Sequence, residues 1–141
     1  MIKTFSGKLE AEDQHQIRLK TKTGKIGYKI QKFETIGIDA NTTFENVVKI
    51  YNTKQGTIDD SIDFGDHNLL AAAIAEGSSA SGTSPAQIVI FDYKMFNGDV
   101  YVTNKGTTAV NYYIELVSET LTDNANAVST LRAIRRNPAP E

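Results

Sequence analysis

The stretch Ile88-Val89-Ile90-Phe91-Asp92-Tyr93-Lys94-Met95-Phe96-Asn97-Gly98-Asp99-Val100-Tyr101-Val102-Thr103 decides the fold class. Residues 88–96 and 100–103 are rich in β-branched and aromatic side chains, which suit a pleated, half-buried surface. Asn97-Gly98 lies between the two runs, and both residues tolerate the positive φ of a type I′ turn. The expectation is a β-hairpin. Phe91, Tyr93 and Met95 would share one strand face, with Ile90, Asp92 and Lys94 on the other. One apolar face would be core, and a further apolar surface would need a partner.

Outward from this stretch the same period of two recurs. Ile17 and Leu19 alternate with Arg18, Lys20 and Lys22, as a half-buried strand requires. Thr23-Gly24 can turn the chain, and Ile26, Tyr28 and Ile30 continue the period. Phe33, Ile36 and Ile38 break its phase, which predicts a bulge or bend near residues 31–35. Asn41-Thr42-Thr43 reads as a turn, residues 47–51 as a strand and residues 52–56 as a turn. Residues 58–65 are acidic, with Ile62 and Phe64 on one side if extended. Residues 104–108 turn the chain into a last clear strand, 112–117. Its adjacent Tyr112 and Tyr113 face opposite ways, one into the core and the other exposed or against a partner.

Residues 69–76 are ambiguous. Their alanines favour helix, while their length and the neighbouring strands favour a buried strand, which is the preferred reading. Residues 77–85 are Gly/Ser-rich and read as an exposed loop. Past residue 122 the pattern changes. Thr122 or Asp123 can cap a helix, and Ala127, Leu131 and Ile134 recur along one helical face. Arg132, Arg135 and Arg136 suit its C-terminal dipole, and Pro138 and Pro140 end it. No repeat and no splitting linker is visible. The expected fold is all-β: an antiparallel β-sandwich or jelly-roll-like domain over residues 1–122, with a short C-terminal helix and tail of the same domain over 123–141.

Composition narrows the function classes. A chain of 141 residues with 40% hydrophobic side chains fits one domain, burying roughly two thirds of its unfolded surface without a metal or disulfide. There is no cysteine, which excludes disulfides, thiolate catalysis and cysteine-based metal sites. The net charge of −2 forces no polyionic partner. Residues 1–7 lack the apolar run of a signal peptide, and residues 69–75 fall short of the ~20 apolar residues of a membrane helix. The expectation is a soluble protein made in a cytoplasm.

Active-site signatures are missing. The sequence holds no phosphate-binding loop, dinucleotide fingerprint or nucleophile elbow. His15 and His67 stand apart and read as polar turn residues. Asp59, Asp60, Asp63 and Asp66 do not follow the spacing of a helix-loop-helix calcium site. That stretch reads as a solvated turn, with a weak calcium site or a contact with a basic neighbour as alternatives. Lys3, Lys8, Arg18, Lys20, Lys22, Lys25, Lys29 and Lys32 make the first third basic. They read as an outward face or a lysine-protected strand edge; phosphate contact is the alternative. A nucleic-acid binder would add stacking aromatics and a basic domain, and the sequence pI of about 5.7 argues against one. No catalytic, cofactor-binding or metal-ligating residue is assigned, and no cofactor is expected.

Several patterns occur together in order: Gly27-Tyr28-Lys29-Ile30 with Phe33, Lys49-Ile50-Tyr51-Asn52-Thr53, and Ser61-Ile62-Asp63-Phe64. Val89-Ile90-Phe91-Asp92 and Phe96-Asn97-Gly98-Asp99-Val100-Tyr101-Val102-Thr103 follow. Asn111-Tyr112-Tyr113-Ile114-Glu115-Leu116 and Leu131-Arg132-Ala133-Ile134-Arg135 close the series. From about Gly7 to Arg136 the chain resembles small virion structural proteins of marine tailed phages, especially those of cyanobacterial hosts. The resemblance implies a non-enzymatic component of the virion, synthesised in the host cytoplasm, and carries over no catalytic or ligand residue. Its expected partners are other copies of itself, as a homo-oligomer, and neighbouring virion proteins, with no nucleic acid and no membrane. A capsid cement or decoration subunit is the leading expectation. A neck, tail or baseplate component is the first alternative. Another is a carbohydrate- or receptor-binding β-sandwich, which would show exposed aromatics clustered around loops, although tryptophan is absent. An enzyme would need a pocket of convergent titratable groups. Residues 77–85 are the loop expected to reach a neighbour. The face of Ala127, Leu131 and Ile134 would close one end of the sandwich or pack across an oligomer axis.

Overall fold

The computed structural model describes residues 1–19, 26–39, 43–78, 82–83 and 87–120. The strands in these residues are β1 (Ile2–Leu9), β2 (Asp13–Ile17), β3 (Ile26–Gly37), β4 (Phe44–Tyr51), β5 (Leu69–Ser78), β6 (Gly82–Thr83), β7 (Gln87–Ile90), β8 (Val100–Gly106) and β9 (Val110–Thr120). They form two antiparallel sheets, one ordered β1-β9-β3 and the other β2-β8-β4-β5-β6, with β7 also paired to β5. The fold is all-β and sandwich-like, as the alternating pattern predicts. The proposed helix and tail, 123–141, and the turn at Thr23-Gly24 lie outside the described residues.

One core joins the two sheets. Leu9, Tyr28, Ile30, Phe33, Val110, Tyr112, Ile114 and Leu116 come from the smaller sheet. Val48, Ile50, Leu70, Ala71, Ala73, Val100 and Val102 come from the larger one. The predicted phase break is real. The register of β3 against β9 slips between Ile30 and Lys32, leaving Gln31 as the extra residue. That slip turns Phe33 and Thr35 inward after Tyr28 and Ile30, and leaves Ile36 exposed. The ambiguous alanine run is a strand. Ala71, Ala72 and Ala73 are all buried because β5 has cover on both faces, the setting in which strands read as continuous apolar runs.

Two local expectations are corrected. The segment 88–103 is not a hairpin: β7 ends at Ile90 and pairs with β5, whereas β8 pairs with β2 and β4. Two strands, β5 and β4, lie between β7 and β8, so residues 91–99 arch across the sheet. On the way Phe96 exchanges two backbone hydrogen bonds with Tyr28 of the other sheet, at 2.7 and 2.9 Å. Residues 77–85 are likewise not simply an exposed loop. β5 runs on through Ser78, and Gly82–Thr83 pairs back on Gly77 and Ser78. Then β7 continues along the same edge of β5, from Ile74 to Ala71.

The chain passes between the sheets at residues 10–12 and again at 107–109, and the two crossings lie side by side. Leu9 faces Val110 in one sheet, and Asp13 faces Asn104 in the other. Asn104, fully buried at 0% exposure, ties them together. Its Nδ2 is shared among the carbonyls of Leu9 (3.2 Å), Glu10 (3.3 Å) and Thr108 (3.1 Å). Its own carbonyl accepts the Glu12 amide at 2.7 Å, at the one described non-glycine residue with positive φ (60°). Neighbouring β4 joins the knot. Glu45 and Thr107 exchange bonds of 3.1 Å, and the Asn46 side chain reaches the Thr108 carbonyl at 2.9 Å in the amide orientation that satisfies both. Gly106 makes this approach possible, since a Cβ there would sit 2.6 Å from Asn46 Cα.

Truncating Asn104 strands buried carbonyls, each of which costs more than a made bond gains. The Asn104 Oδ1 has no donor of its own, so the loss is smaller than three bonds would suggest. Asn104→Ala is expected to lower unfolding stability by about 2–3 kcal/mol, read from the urea midpoint. A midpoint unchanged from wild type would mean that the crossings hold without it.

Candidate functional site

The outer face of the larger sheet carries an unusual residue. On β4, Val48 and Ile50 point into the core, which sends Val47, Lys49 and Tyr51 outward, yet all three are buried. Residues 52–68 fold back over them. Tyr51 pairs with Leu69, and the Asn52 amide donates to the Asn68 carbonyl at 3.0 Å, so the neck of this loop is closed. Its first turn is fastened to β2: Gln14 Nε2 donates to the Gln55 carbonyl (3.2 Å), and the Gln55 amide donates to Gln14 Oε1 (2.9 Å).

Lys49 holds the middle of the loop. Its Nζ donates to Asp59 Oδ1 and to the Ser61 carbonyl, both at 2.7 Å, and lies 5.4 Å from the centre of the Tyr51 ring. The pair is asymmetric, because the lysine side chain is 2% exposed and the aspartate 57%. Burial pushes the Lys49 amine down, but the hydrogen bonds and charges of Asp59 and Tyr51 outweigh it and hold the amine above its ordinary value. The bond from Lys49 is the main cause holding Asp59 below the usual carboxylate range.

The rest of the acidic stretch builds the loop's own turns. Asp63 Oδ1 accepts the Gly65 amide at 2.8 Å, and Asp66 Oδ1 accepts the Asn68 amide at 2.9 Å. So the stretch does make turns, and the alternative reading of a contact with a basic neighbour also holds, at Asp59, with that neighbour in the same chain. Among the described residues no group of three or more His, Asp or Glu is placed to hold a metal ion. No helix among them is long and apolar enough to cross a membrane.

The loop presents an aromatic surface. Phe64 is 56% exposed and meets the edge of Phe91, with ring centres 5.1 Å apart at 88°. Phe91 in turn meets Tyr93, 59% exposed, at 6.1 Å and 74°. Such edge-to-face pairs are worth about 0.5–1.5 kcal/mol each beyond burial. A tight turn presents the second pair: the Lys94 amide donates to the Phe91 carbonyl at 3.0 Å. The Lys94 Nζ donates to the Leu69 carbonyl at 2.9 Å and lies 4.5 Å from the centre of the Phe91 ring. Phe91 and Tyr93 therefore do lie together, but through a turn and not a strand face. Phe64 was not expected beside them, because it comes from the loop that Lys49 folds down.

The other singled-out residues are structural. Lys29 pairs with Glu119 (3.1 Å), Lys32 with Glu34 and Glu115 (3.7 and 3.9 Å), and Lys8 with Glu10 (3.6 Å). This supports the outward-face reading for those lysines; Lys20, Lys22 and Lys25 lie outside the described residues. His67 is in a turn, but His15 is not: it sits on β2 with its Nδ1 3.3 Å from the Tyr112 hydroxyl. Tyr112 is the core member of its pair and Tyr113 the half-exposed one. The buried Lys49 was missed, although the run Val47-Val48-Lys49-Ile50-Tyr51 is apolar on both faces and so signals cover on both.

Comparison of the chain with protein-family models, with curated proteins and with solved structures gave no match.

The asymmetry of the ion pair sets its expected behaviour. Removing Asp59 leaves a buried ammonium short of a partner, whereas replacing Lys49 by Met leaves a carboxylate that water can solvate. Asp59→Ala should therefore cost more than Lys49→Met, by about 1–2 kcal/mol in urea unfolding. The Asp59 pKa is lowered on folding, so its contribution is complete above the ordinary carboxylate range and lost as pH falls through the lowered value. The raised Lys49 value makes its contribution complete below the ordinary lysine range and lost only at higher, alkaline pH. Protection of the amides in residues 52–68, taken relative to the intrinsic exchange rate at each pH, should therefore fall on acidification before that of β4 does, and Asp59→Asn should remove this difference.

Proposed function

We propose that this chain is a non-enzymatic structural component of a tailed-phage particle, present in multiple copies and held by protein–protein contacts. The observation that carries the reading is the Phe64–Phe91–Tyr93 surface. Large rings held at fixed angles by an anchored loop are poorly placed for solvent and well placed to be buried by a neighbour. Aromatic side chains are enriched where partners meet, and a preformed surface loses little entropy on docking. Lys49, Asp59, Asp63, Asp66, Lys94 and Asp99 are engaged in turns, an ion pair and backbone contacts, an arrangement that suits a scaffold. The similarity of the strand and turn patterns to small phage virion proteins supplies the biological setting. Within it, a capsid cement or decoration subunit is the preferred position, with a neck, tail or baseplate position as the alternative.

One specific observation favours a second reading. Exposed aromatics gathered on loops are also what a carbohydrate- or receptor-binding β-sandwich would present, and the exposed Phe64 and Tyr93, with the half-buried Phe91, come from connections between strands. The two readings separate in one experiment. The double substitution Phe64→Ser with Tyr93→Ser leaves the core untouched, so its circular dichroism should match wild type. Its incorporation into particles, measured against wild type in a competition, should fall at least tenfold, about the 1.4 kcal/mol by which one lost anchor weakens a contact. Equal incorporation would remove this surface from the assembly account. Equal incorporation together with lost adhesion to the host surface would favour the receptor-binding module.

A further inference from the structure

We propose that Asn97 is a self-modifying site, converting without any enzyme to aspartate and isoaspartate through a cyclic imide with Gly98. The chemistry needs an asparagine followed by a residue that does not crowd the ring, a free backbone amide after it, and room for the chain to bend. Asn97 is the sole asparagine in the sequence followed by glycine. Both residues are exposed. Neither makes a hydrogen bond to another described residue, so the Gly98 amide is not held in a ladder or a turn. Neither has the left-handed φ of the hairpin turn that the dipeptide suggests in sequence. A Cβ built on Gly98 meets nothing within 4 Å beyond its chain neighbours, so nothing from the rest of the fold crowds the glycine flank of the ring. The described asparagines elsewhere lack this setting. Asn46 and Asn104 are fully buried, and Asn111 lies within β9 before Tyr112.

The step balances without an oxidant or a metal. The Gly98 amide gives up its proton to hydroxide, and its nitrogen bonds to Cγ of Asn97. The side-chain amide nitrogen leaves as ammonia, taking up a proton from water. One water then adds to either carbonyl of the five-membered imide. Opening at one carbonyl gives aspartate; opening at the other gives isoaspartate, with the chain running through the former side chain.

The position gives the change a local consequence. Residues 97 and 98 span two fixed points. Phe96 is bonded to Tyr28 across the sheets, and the Asp99 carboxylate accepts the Leu19 amide at 2.9 Å and Gln16 Nε2 at 2.7 Å. Either product puts a new negative charge between Asp92 and Asp99, and isoaspartate adds a backbone carbon between the anchors. The strand ladders do not pass through 97 or 98, so the sheets should survive the change.

The test uses the full chain, incubated at mildly alkaline pH and mapped by peptide mass over time. The expected result is a gain of one mass unit in the peptide containing Asn97, resolving into two isomers, with a rate that rises with pH. The folded chain should convert measurably, though more slowly than the same peptide excised from it, because Phe96 and Asp99 are held. Gly98→Ala, which fits the open space, should slow the conversion severalfold while leaving circular dichroism unchanged. Conversion in the excised peptide but not in the folded chain would overturn the proposal, because the loop would then protect the site. Conversion elsewhere in the chain with Asn97 intact would overturn it as well.

Discussion

The side chain of Asn104 is the contact on which the rest of the structure depends. A two-sheet fold has to carry its chain from one sheet to the other, and each crossing takes backbone groups out of the ladders. Here the crossings at residues 10–12 and 107–109 lie side by side, and one amide serves the carbonyls of Leu9, Glu10 and Thr108. That fixes β1 over β2 and β9 beside β8 together. The core between the sheets follows from it, since Leu9 enters the interior just before one crossing and Val110 and Tyr112 just after the other. Asn46 and Gly106 bring the centre of the larger sheet into the same knot.

Once the sheets are set, β4 and β5 become central strands that need cover on their outer face as well. Residues 52–68 supply it, and the loop is held by one buried ammonium instead of an apolar plug. An ion pair between a buried lysine and an exposed aspartate is a weak source of stability but a directional one, because the buried Lys49 Nζ is satisfied only by an arrangement that brings Asp59 and the Ser61 carbonyl to it. That directionality reaches the surface: the same loop sets Phe64 edge-on against Phe91. The proposed function thus rests on a chain of contacts running from a core strand, through a charge, to two exposed rings and the half-buried Phe91 between them.

Much of this was legible in the sequence where the signal is local and strong. The phase change between Ile30 and Phe33 gives the bulge, because a period of two admits no other way to keep both residues buried. Tyr112 and Tyr113 divide between core and surface for the same reason. The failures share a cause. Asn97-Gly98 is a short-range turn signal, and it carries no information about how many strands separate the runs on either side. Lys49 reads as a polar position until the loop that covers it is placed, and its partner Asp59 comes from a stretch that looks like a solvated turn. The aromatic surface was visible only in part, since Phe91 and Tyr93 are neighbours in sequence whereas Phe64 reaches them through that loop.

The central claim is that the Phe64–Phe91–Tyr93 surface is covered by a neighbouring protein in a phage particle. Electron microscopy of purified particles, at a resolution that traces side chains, tests it most directly. The account predicts many copies of this chain in symmetric positions, with the three rings buried against an adjacent subunit. Particles that lack the chain, or that hold it with the three rings facing solvent, would contradict it.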